Sequence, residues 1–494
     1  MRRLSVVAVT AFLLAGCMIG PNYRRPAVDT PQSFRFEEKE ARDTTNTDWW
    51  KQFDAPVLDS LIAEALANNR SVQIAAANIE QAAGVLMQTR APLFPQIGYG
   101  GSAVRERQSW SDVVPLGLQG LTIPNPSSSF ELFAGTNWEI DLWGRVRRLT
   151  ESAQANLCAT EEARRGVILS LVAAVATSYF QLLSLDDQLA ISQRTLAAYE
   201  TNVKLFELKF IHGQVSAMIL EQAKSQYETV AAAIPPIKSR IVQTENGLSI
   251  LLARNPGPIE RGKLLPVLGA PAVPSGLPSQ LLERRPDLAQ AELNLIAANA
   301  QIGAARALYF PTISLTGAVG TASSDLSNLF TGPARIWSYA GSFTGPIFTA
   351  GAIAGQVRQA EAARKAALLF YQNAIQSGFR DVENALSSHA QLLDQLKAQG
   401  RLVTALRKYA FLARKLYDGG YTSYLTVLYA EEQLYPAELA YAQLQGSTLA
   451  SLVNIYQAMG GGWVCRADKL TAPQPFVTPH VYCVNSLTQE KTDK

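Results

Sequence analysis

Apolar positions along this chain recur in two different rhythms. From Val167 through Leu171, Ala174, Ser178, Leu182, Leu185, Leu189, Ser192, Leu196, Tyr199, Val203 and Phe206 the seam positions, two of them serines, step by threes and fours. That is the seam of a long, coiled-coil-like helix. After Gly213 a second such run begins at Leu220 and continues through Ala223, Val230, Ile237 and Ile241 to Leu251. A matching pair of runs lies further on, turning at Gly420 and ending near Ala458. From Glu151 to Ile211 an unbroken helix would be about 90 Å long at ~1.5 Å per residue, a strut or tube wall rather than a globular domain. Elsewhere the period drops to two. Phe130, Leu132, Ala134, Thr136, Trp138 and Ile140 alternate with Glu131, Phe133, Gly135, Asn137, Glu139 and Asp141; Phe133 is the exception to an otherwise polar face. Strands are predicted at about 94–105, 129–141, 311–320 and 337–348, and long helices at about 144–253 and 351–459.

The chain is written twice. Arg-Ala-Pro-Leu-Phe-Pro-Gln-Ile at 90–97 returns as Arg-Ala-Leu-Tyr-Phe-Pro-Thr-Ile at 306–313, an offset of 216. Gly213-Gln214-Val215-Ser216 returns as Gly420-Tyr421-Thr422-Ser423, an offset of 207. The first copy therefore carries nine extra residues between these landmarks, as a surface loop would. Residues 17–253 form the first unit and 282–463 the second. A proline-rich joint spans 254–281, and residues 464–494 form a tail without periodicity. Strands of about ten residues suit a tilted membrane strand, while a soluble hairpin packed on a core is the other reading. Four strands cannot close a pore, so a barrel would need several chains; three give twelve strands.

Composition narrows the function. With 44 basic and 41 acidic residues the formal charge is only +3, without the basic field of a nucleic-acid binder. Three widely spaced histidines and four cysteines offer no metal-ligand spacing, and there is no G-x-S-x-G motif, so no cofactor or catalytic centre is indicated. Arg2 and Arg3, an apolar run to Leu14 and then Ala15-Gly16-Cys17 read as an export signal over residues 1–16. Leu-Ala-Gly-Cys resembles the bacterial lipobox, which implies an S-diacylglycerol and an N-acyl group on Cys17 and an outer-membrane address; an ordinary secretory signal is the plainer reading. The uncharged stretch Gly166–Leu185 is long enough to span a bilayer, but the helical repeat running through it assigns it to a buried seam.

Taken together, these residues resemble the TolC-like outer-membrane factors, in particular the OprM/NodT-type efflux lipoproteins. The motifs are Gly20-Pro21-Asn22-Tyr23, Trp49-Trp50, Trp138 to Gly144, Leu282-Glu283-Arg284-Arg285-Pro286-Asp287, Phe310-Pro311 and Gly460-Gly461-Gly462-Trp463. The resemblance implies a mainly α homotrimer in which a twelve-stranded outer-membrane β-barrel, four strands per chain, continues into a long periplasmic α-helical barrel. It implies a channel that conducts substrates for an inner-membrane pump, of RND type or of MFS or ABC type, through a periplasmic membrane-fusion adaptor. Gly213, Gln214, Gly420, Tyr421 and Thr422 would be the tip that meets the adaptor. Tyr417, Thr426 and Tyr429 would lie near the aperture. Many relatives carry Asp where Thr426 and Tyr429 stand, so an acidic ring is not expected at those positions and the closure would be apolar.

Other features have simpler readings. His389 falls on the second seam and reads as a packed or interface histidine. Pro235-Pro236 interrupts the first returning helix, where the second copy has Ala442-Gln443, and predicts a kink. Asp186-Asp187 and Glu161-Glu162 read as solvated helix faces, and Cys158 as a small buried residue. Cys465 and Cys483 are close enough in sequence to form a bridge in an oxidising compartment. The competing function is a lipid-anchored periplasmic coiled-coil scaffold without a pore, which would have no need of the period-two segments.

Overall fold

The helix ends reproduce the sequence repeat. The computed structural model describes residues 18–36, 48–107, 126–265, 268, 273 and 278–461. In chain order its helices and strands are α1 (Pro56–Asn68), α2 (Arg70–Arg90), β1 (Gln96–Glu106), β2 (Ser127–Ile140), α3 (Arg145–Ile211), α4 (Ala217–Leu251), α5 (Pro278–Arg284), α6 (Pro286–Ala307), β3 (Thr312–Ser323), β4 (Arg335–Thr344), α7 (Ala352–Asp418) and α8 (Tyr424–Ala458). Helices α3 and α7 are each 67 residues long, and α4 and α8 each 35. Every end of the first pair recurs 207 residues later in the second. At ~1.5 Å per residue the long members reach about 100 Å.

Duplicated capping fixes where the returning helices stop. Asn69 precedes α2, and its Oδ1 accepts the amides of Ser71 and Val72 while its Nδ2 donates to the Leu251 carbonyl at 2.8 Å. The counterpart of Asn69 in the second copy is Arg285, whose Nη1 donates to the Ala458 carbonyl at 2.9 Å. Each copy thus ties the carbonyl end of its returning helix to the start of its short helix, satisfying a group the helix itself leaves open.

Two layers share one order. In the strand-proximal half α2, α3, α6 and α7 lie side by side; towards the tip the order is α4, α3, α8, α7. The four strands form one antiparallel sheet, β1-β2-β3-β4. Between the halves sits the main apolar core, where Trp49 stacks on Tyr456 at 5.0 Å and Phe53 packs on Phe180 at 4.8 Å. The apolar stretch of α3 belongs here: Ile168, Val172, Val175, Ala176, Tyr179 and Phe180 are fully buried against this cluster. Burial at about 1.5–3 kcal/mol per large apolar side chain makes this the anchor point of the protomer. The joint between the copies is laid onto it by Arg261, which pairs with Asp186 and Glu245, and by the Gly262 amide, which donates to Tyr179 Oη at 3.0 Å.

Several sequence expectations change. Asp141 is not one more polar position of strand β2: it accepts the Val146 and Arg147 amides at 3.0 and 2.9 Å, serving the N-terminus of α3. Glu161 is buried rather than solvated, and Asp186 is held by Arg261. Cys158 is buried as expected but is disulfide-bonded. Helix α4 runs on unbroken through Pro235 and Pro236, and α8 through its own internal Pro436, so both returning helices continue past prolines that each remove a backbone donor. Cys17, Cys465 and Cys483, and with them the expected bridge and tail, lie outside the described residues.

Candidate functional site: a tip, a seam, a strap and a two-faced sheet

At the far end of the long helices the two turns are built alike. Gly213 and Gly420 adopt φ of 68° and 78°, and the amides of Gln214 and Tyr421 reach back to the carbonyls of Lys209 and Leu416, both at 2.8 Å. This is the Schellman closure, whose left-handed residue is glycine because of its backbone; a Cβ on either one would meet nothing within 4 Å. Leu208, Ile211, Met218 and Tyr421 stand exposed around the turns, and Thr422 bonds Thr426 through their hydroxyls at 2.8 Å.

The aperture candidates separate. Tyr417 is half-buried, in edge contact with Tyr424, and its hydroxyl accepts a hydrogen bond from Lys209 Nζ at 3.1 Å. Tyr429 is exposed, on a stripe of α8 that also presents Leu425, Glu432, Pro436 and Gln443. Thus a carboxylate stands one turn beyond Tyr429 on the same face, which the matching positions Thr426 and Tyr429 did not foretell. The stripe continues into a polar groove of about 630 Å³ lined by Thr177, Ser178, Gln181, Arg240, Gln443 and Ser447.

Behind that face, α3 and α8 meet along a seam with polar members. Tyr435 and Ser192 hydroxyls lie 2.9 Å apart, Ser184 Oγ donates to the Ala442 carbonyl, and Gly446 allows close approach to Ser184. Nearer the tip, Arg414 donates to Asn202 at 2.7 Å and stands 3.5 Å from the largely buried Glu431. Burial pushes the Glu431 carboxyl up, the Arg414 guanidinium opposing. Burial likewise raises Tyr424 and Tyr199, with the Glu431 charge adding to both. Helical periodicity marks Ser192 and Tyr199 as seam positions and is blind to which polar groups meet them there.

At the other end the N-terminal strap 18–25 is pinned across the start of α3 and the middle and end of α6. The Ile19 amide donates to the Trp143 carbonyl; the buried Arg148 donates to the carbonyls of Ile19 and Gly20 and to Asn22 Oδ1. Asn299 holds the Pro21 carbonyl, and Tyr23 and Arg25 converge on Glu292 at 3.0 and 2.7 Å. Burial and then the Glu292 charge push the Tyr23 phenol up. Gly20 lies against Gly303 so closely that a Cβ on it would be 2.4 Å from the Gly303 Cα. The Gly20-Pro21-Asn22-Tyr23 motif is therefore a docking segment. Met18 packs on Gly144, where sheet gives way to helix.

The sheet has one apolar and one polar face, because paired residues of an antiparallel ladder point the same way. Register places Ile97, Tyr99, Ala134, Trp138, Leu315, Val319, Trp337, Tyr339 and Phe343 together. The opposite face carries Ser102, Glu131, Asn137, Glu139, Ser314 and Ser342, the last two with hydroxyls 2.6 Å apart. With Trp337 and Tyr339 among its exposed side chains, the apolar face suits lipid and the polar face suits water. A sequence model of the outer membrane efflux protein family matches residues 61–254 and 277–461, one block per copy. The chain belongs to the outer membrane efflux protein family. Cation efflux system protein CusC of Escherichia coli O6:H1 is 35% identical over 461 residues, covering 92% of this chain and 97% of CusC. The probable outer membrane lipoprotein SilC of Salmonella typhimurium is 33% identical over 477 residues, covering 94% of this chain and all of SilC. The open-state Neisseria gonorrhoeae MtrE outer membrane channel superposes with a TM-score of 0.81 at 32% identity, covering 90% of this chain and 99% of MtrE. The fold is TolC-like, and this member of the family is an outer-membrane channel of an efflux system, a transport rather than an enzyme family.

Proposed function

We propose that three copies close head to tail into one duct that spans the outer membrane and crosses the periplasm. The observation that carries this reading is the shared order of the layers. The sheet ends in β1 and β4, the strand-proximal helices in α2 and α7, and the tip-proximal helices in α4 and α7. In every layer the second copy's last element would meet the first copy's edge of the next chain, the heterologous contact that closes a ring. Exposed apolar side chains lie on both edges, with Ile74, Val85 and Met87 on α2 and Leu369 and Phe370 on α7. Twelve strands then form a barrel with its apolar face to lipid, and no strand edge is left open. A scaffold without a pore gives the two-faced sheet no role.

The tip around Gly213, Gln214, Gly420, Tyr421 and Thr422 is then furthest from the bilayer, where a periplasmic membrane-fusion adaptor would dock and couple the duct to an inner-membrane pump. An RND pump is the proposed partner, with MFS and ABC pumps as the other classes. Thr426 and Tyr429 would narrow the bore there, while Tyr417 helps hold the helices together. The pump selects the cargo. Cys17 carries the lipid: its neighbour Met18 is fixed at the sheet–helix junction, so acyl chains on Cys17 would enter the leaflet beside the barrel base.

Two measurements test the reading. Light scattering and planar-bilayer recording on the detergent-purified protein should give a trimer with ion conductance; a monomer without conductance refutes the duct. Mass spectrometry of the mature N-terminus should find acylated Cys17, and Cys17→Ser should lose the acyl mass while trimers still assemble. An unmodified amino terminus elsewhere refutes the lipid assignment.

A further inference from the structure

Phe133 breaks the alternation of β2: it is the one large apolar side chain of that strand on the face it shares with Glu131, Gly135, Asn137 and Glu139. Register sets Gly100 of β1 and Gly320 of β3 directly opposite it on either side. A Cβ on Gly100 would come within 2.9 Å of the ring's Cζ, and one on Gly135 within 3.7 Å of the ring. On Gly320 it would come within 2.2 Å of the Leu132 carbonyl oxygen and 2.7 Å of the Phe133 Cα.

These contacts have different meanings. Gly320 is demanded by the backbone of its partner strand, so its smallness serves pairing. At Gly100 the three atoms nearest such a Cβ all belong to the far end of the Phe133 ring, at 2.9 to 3.6 Å. Its missing side chain makes room first of all for the ring. Ordinary core packing does not account for that seat, because among the described residues no second layer covers this face of the sheet. An aromatic ring here either lies along the wall or stands out from it.

We propose that Phe133, seated over Gly100 and Gly135, sets the calibre of the barrel bore, and with it the size of cargo that leaves the cell. This rests on the three-chain barrel proposed above, in which three such rings share one level near the middle of the strands. Lying flush, each ring takes its thickness from the bore; displaced from its seat, each takes its length, at a place where diameter decides passage.

One-sided polymer exclusion tests this without interference from the periplasmic end. Polyethylene glycols of graded mass are added on the extracellular side of single trimers in planar bilayers, and the largest polymer that lowers conductance reports the barrel's width. Gly100→Ala should shift that cut-off to smaller polymers and Phe133→Ala to larger ones. The double variant Gly100→Ala/Phe133→Ala should match Phe133→Ala, because the added methyl then has no ring to displace. Phe133→Trp, which overfills the seat with Gly100 intact, should also lower the cut-off and decides the matter if Gly100→Ala does not assemble. Trimers on unheated gels report assembly. A wild-type cut-off in both Gly100→Ala and Phe133→Trp overturns the proposal. Absence of conductance in the wild-type protein would instead refute the duct itself.

Discussion

Ala253 holds φ at 58°, where the second copy places Gly460 at 83°. A Cβ in the left-handed region costs about 1–2 kcal/mol, so Ala253→Gly should stabilise the protein by roughly 1 kcal/mol after the added freedom of the unfolded chain is subtracted. A higher thermal midpoint in detergent is the expected outcome; an unchanged or lower one would show that the turn tolerates alanine without strain. His389 provides a pH test. Its Nδ1 lies 2.7 Å from Ser451 Oγ, and that hydroxyl donates to the Thr448 carbonyl, so the imidazole is the donor to serine. Burial lowers its pKa. The folded state then prefers neutral histidine, and the stability this contributes is present above the ordinary value of about 6.5 and lost as pH falls through the depressed folded value. Thermal midpoints should fall between pH 7.5 and pH 5 more steeply for wild type than for His389→Gln. Parallel curves would assign the acid sensitivity to other groups.

Among elements, the paired caps make a graded prediction. Asn69→Ala removes acceptors from two amides of α2 and a donor from the Leu251 carbonyl, a loss of about 1–2 kcal/mol. Arg285→Ala should cost more, because it frees the Ala458 carbonyl, strips Asp287 of its cation and leaves Asp381 with Arg380 alone. Chemical denaturation of both variants checks the order; a larger loss for Asn69→Ala would mean the arginine's ion pairs contribute little. The repeat in the sequence and the repeat in capping are one fact at two levels. The offsets of 216 and 207 could be read from Phe-Pro and Gly landmarks, yet the shared task of Asn69 and Arg285 could not, since an amide and a guanidinium have no common pattern.

For the whole molecule, the tip decides whether the isolated duct conducts. Tyr429 is exposed on the α8 stripe, so Tyr429→Ala in three copies should widen the aperture and raise single-channel conductance in planar bilayers. Tyr417→Ala acts differently: it removes a ring from between Lys209 and Tyr424 and should lower thermal stability as well. Equal conductance in wild type and Tyr429→Ala would place the constriction elsewhere, with the Glu432 level next along the stripe.

Periodicity alone determined the element types, their order and the duplication, because steps of three and four, steps of two and glycine turns are local consequences of backbone geometry. The strands at 96–106 and 127–140 and the helix ends near 211 and 418 lie within a few residues of where the pattern put them. Phe133 was visible as an irregularity, but its seat was not, since Gly100 and Gly320 reach it only through the register of three strands. Asp141 looked like one more polar strand position and proved to serve a helix terminus. Glu161 looked solvated and is buried, and the meeting of Glu431, Arg414 and Asn202 left no mark in the periodicity. Asp141 acts only five and six residues ahead, a local cap that the strand alternation masked. The Phe133 seat and the Arg414–Asn202 contact join residues far apart in the chain, and a linear pattern carries no information about which partners a particular packing brings together.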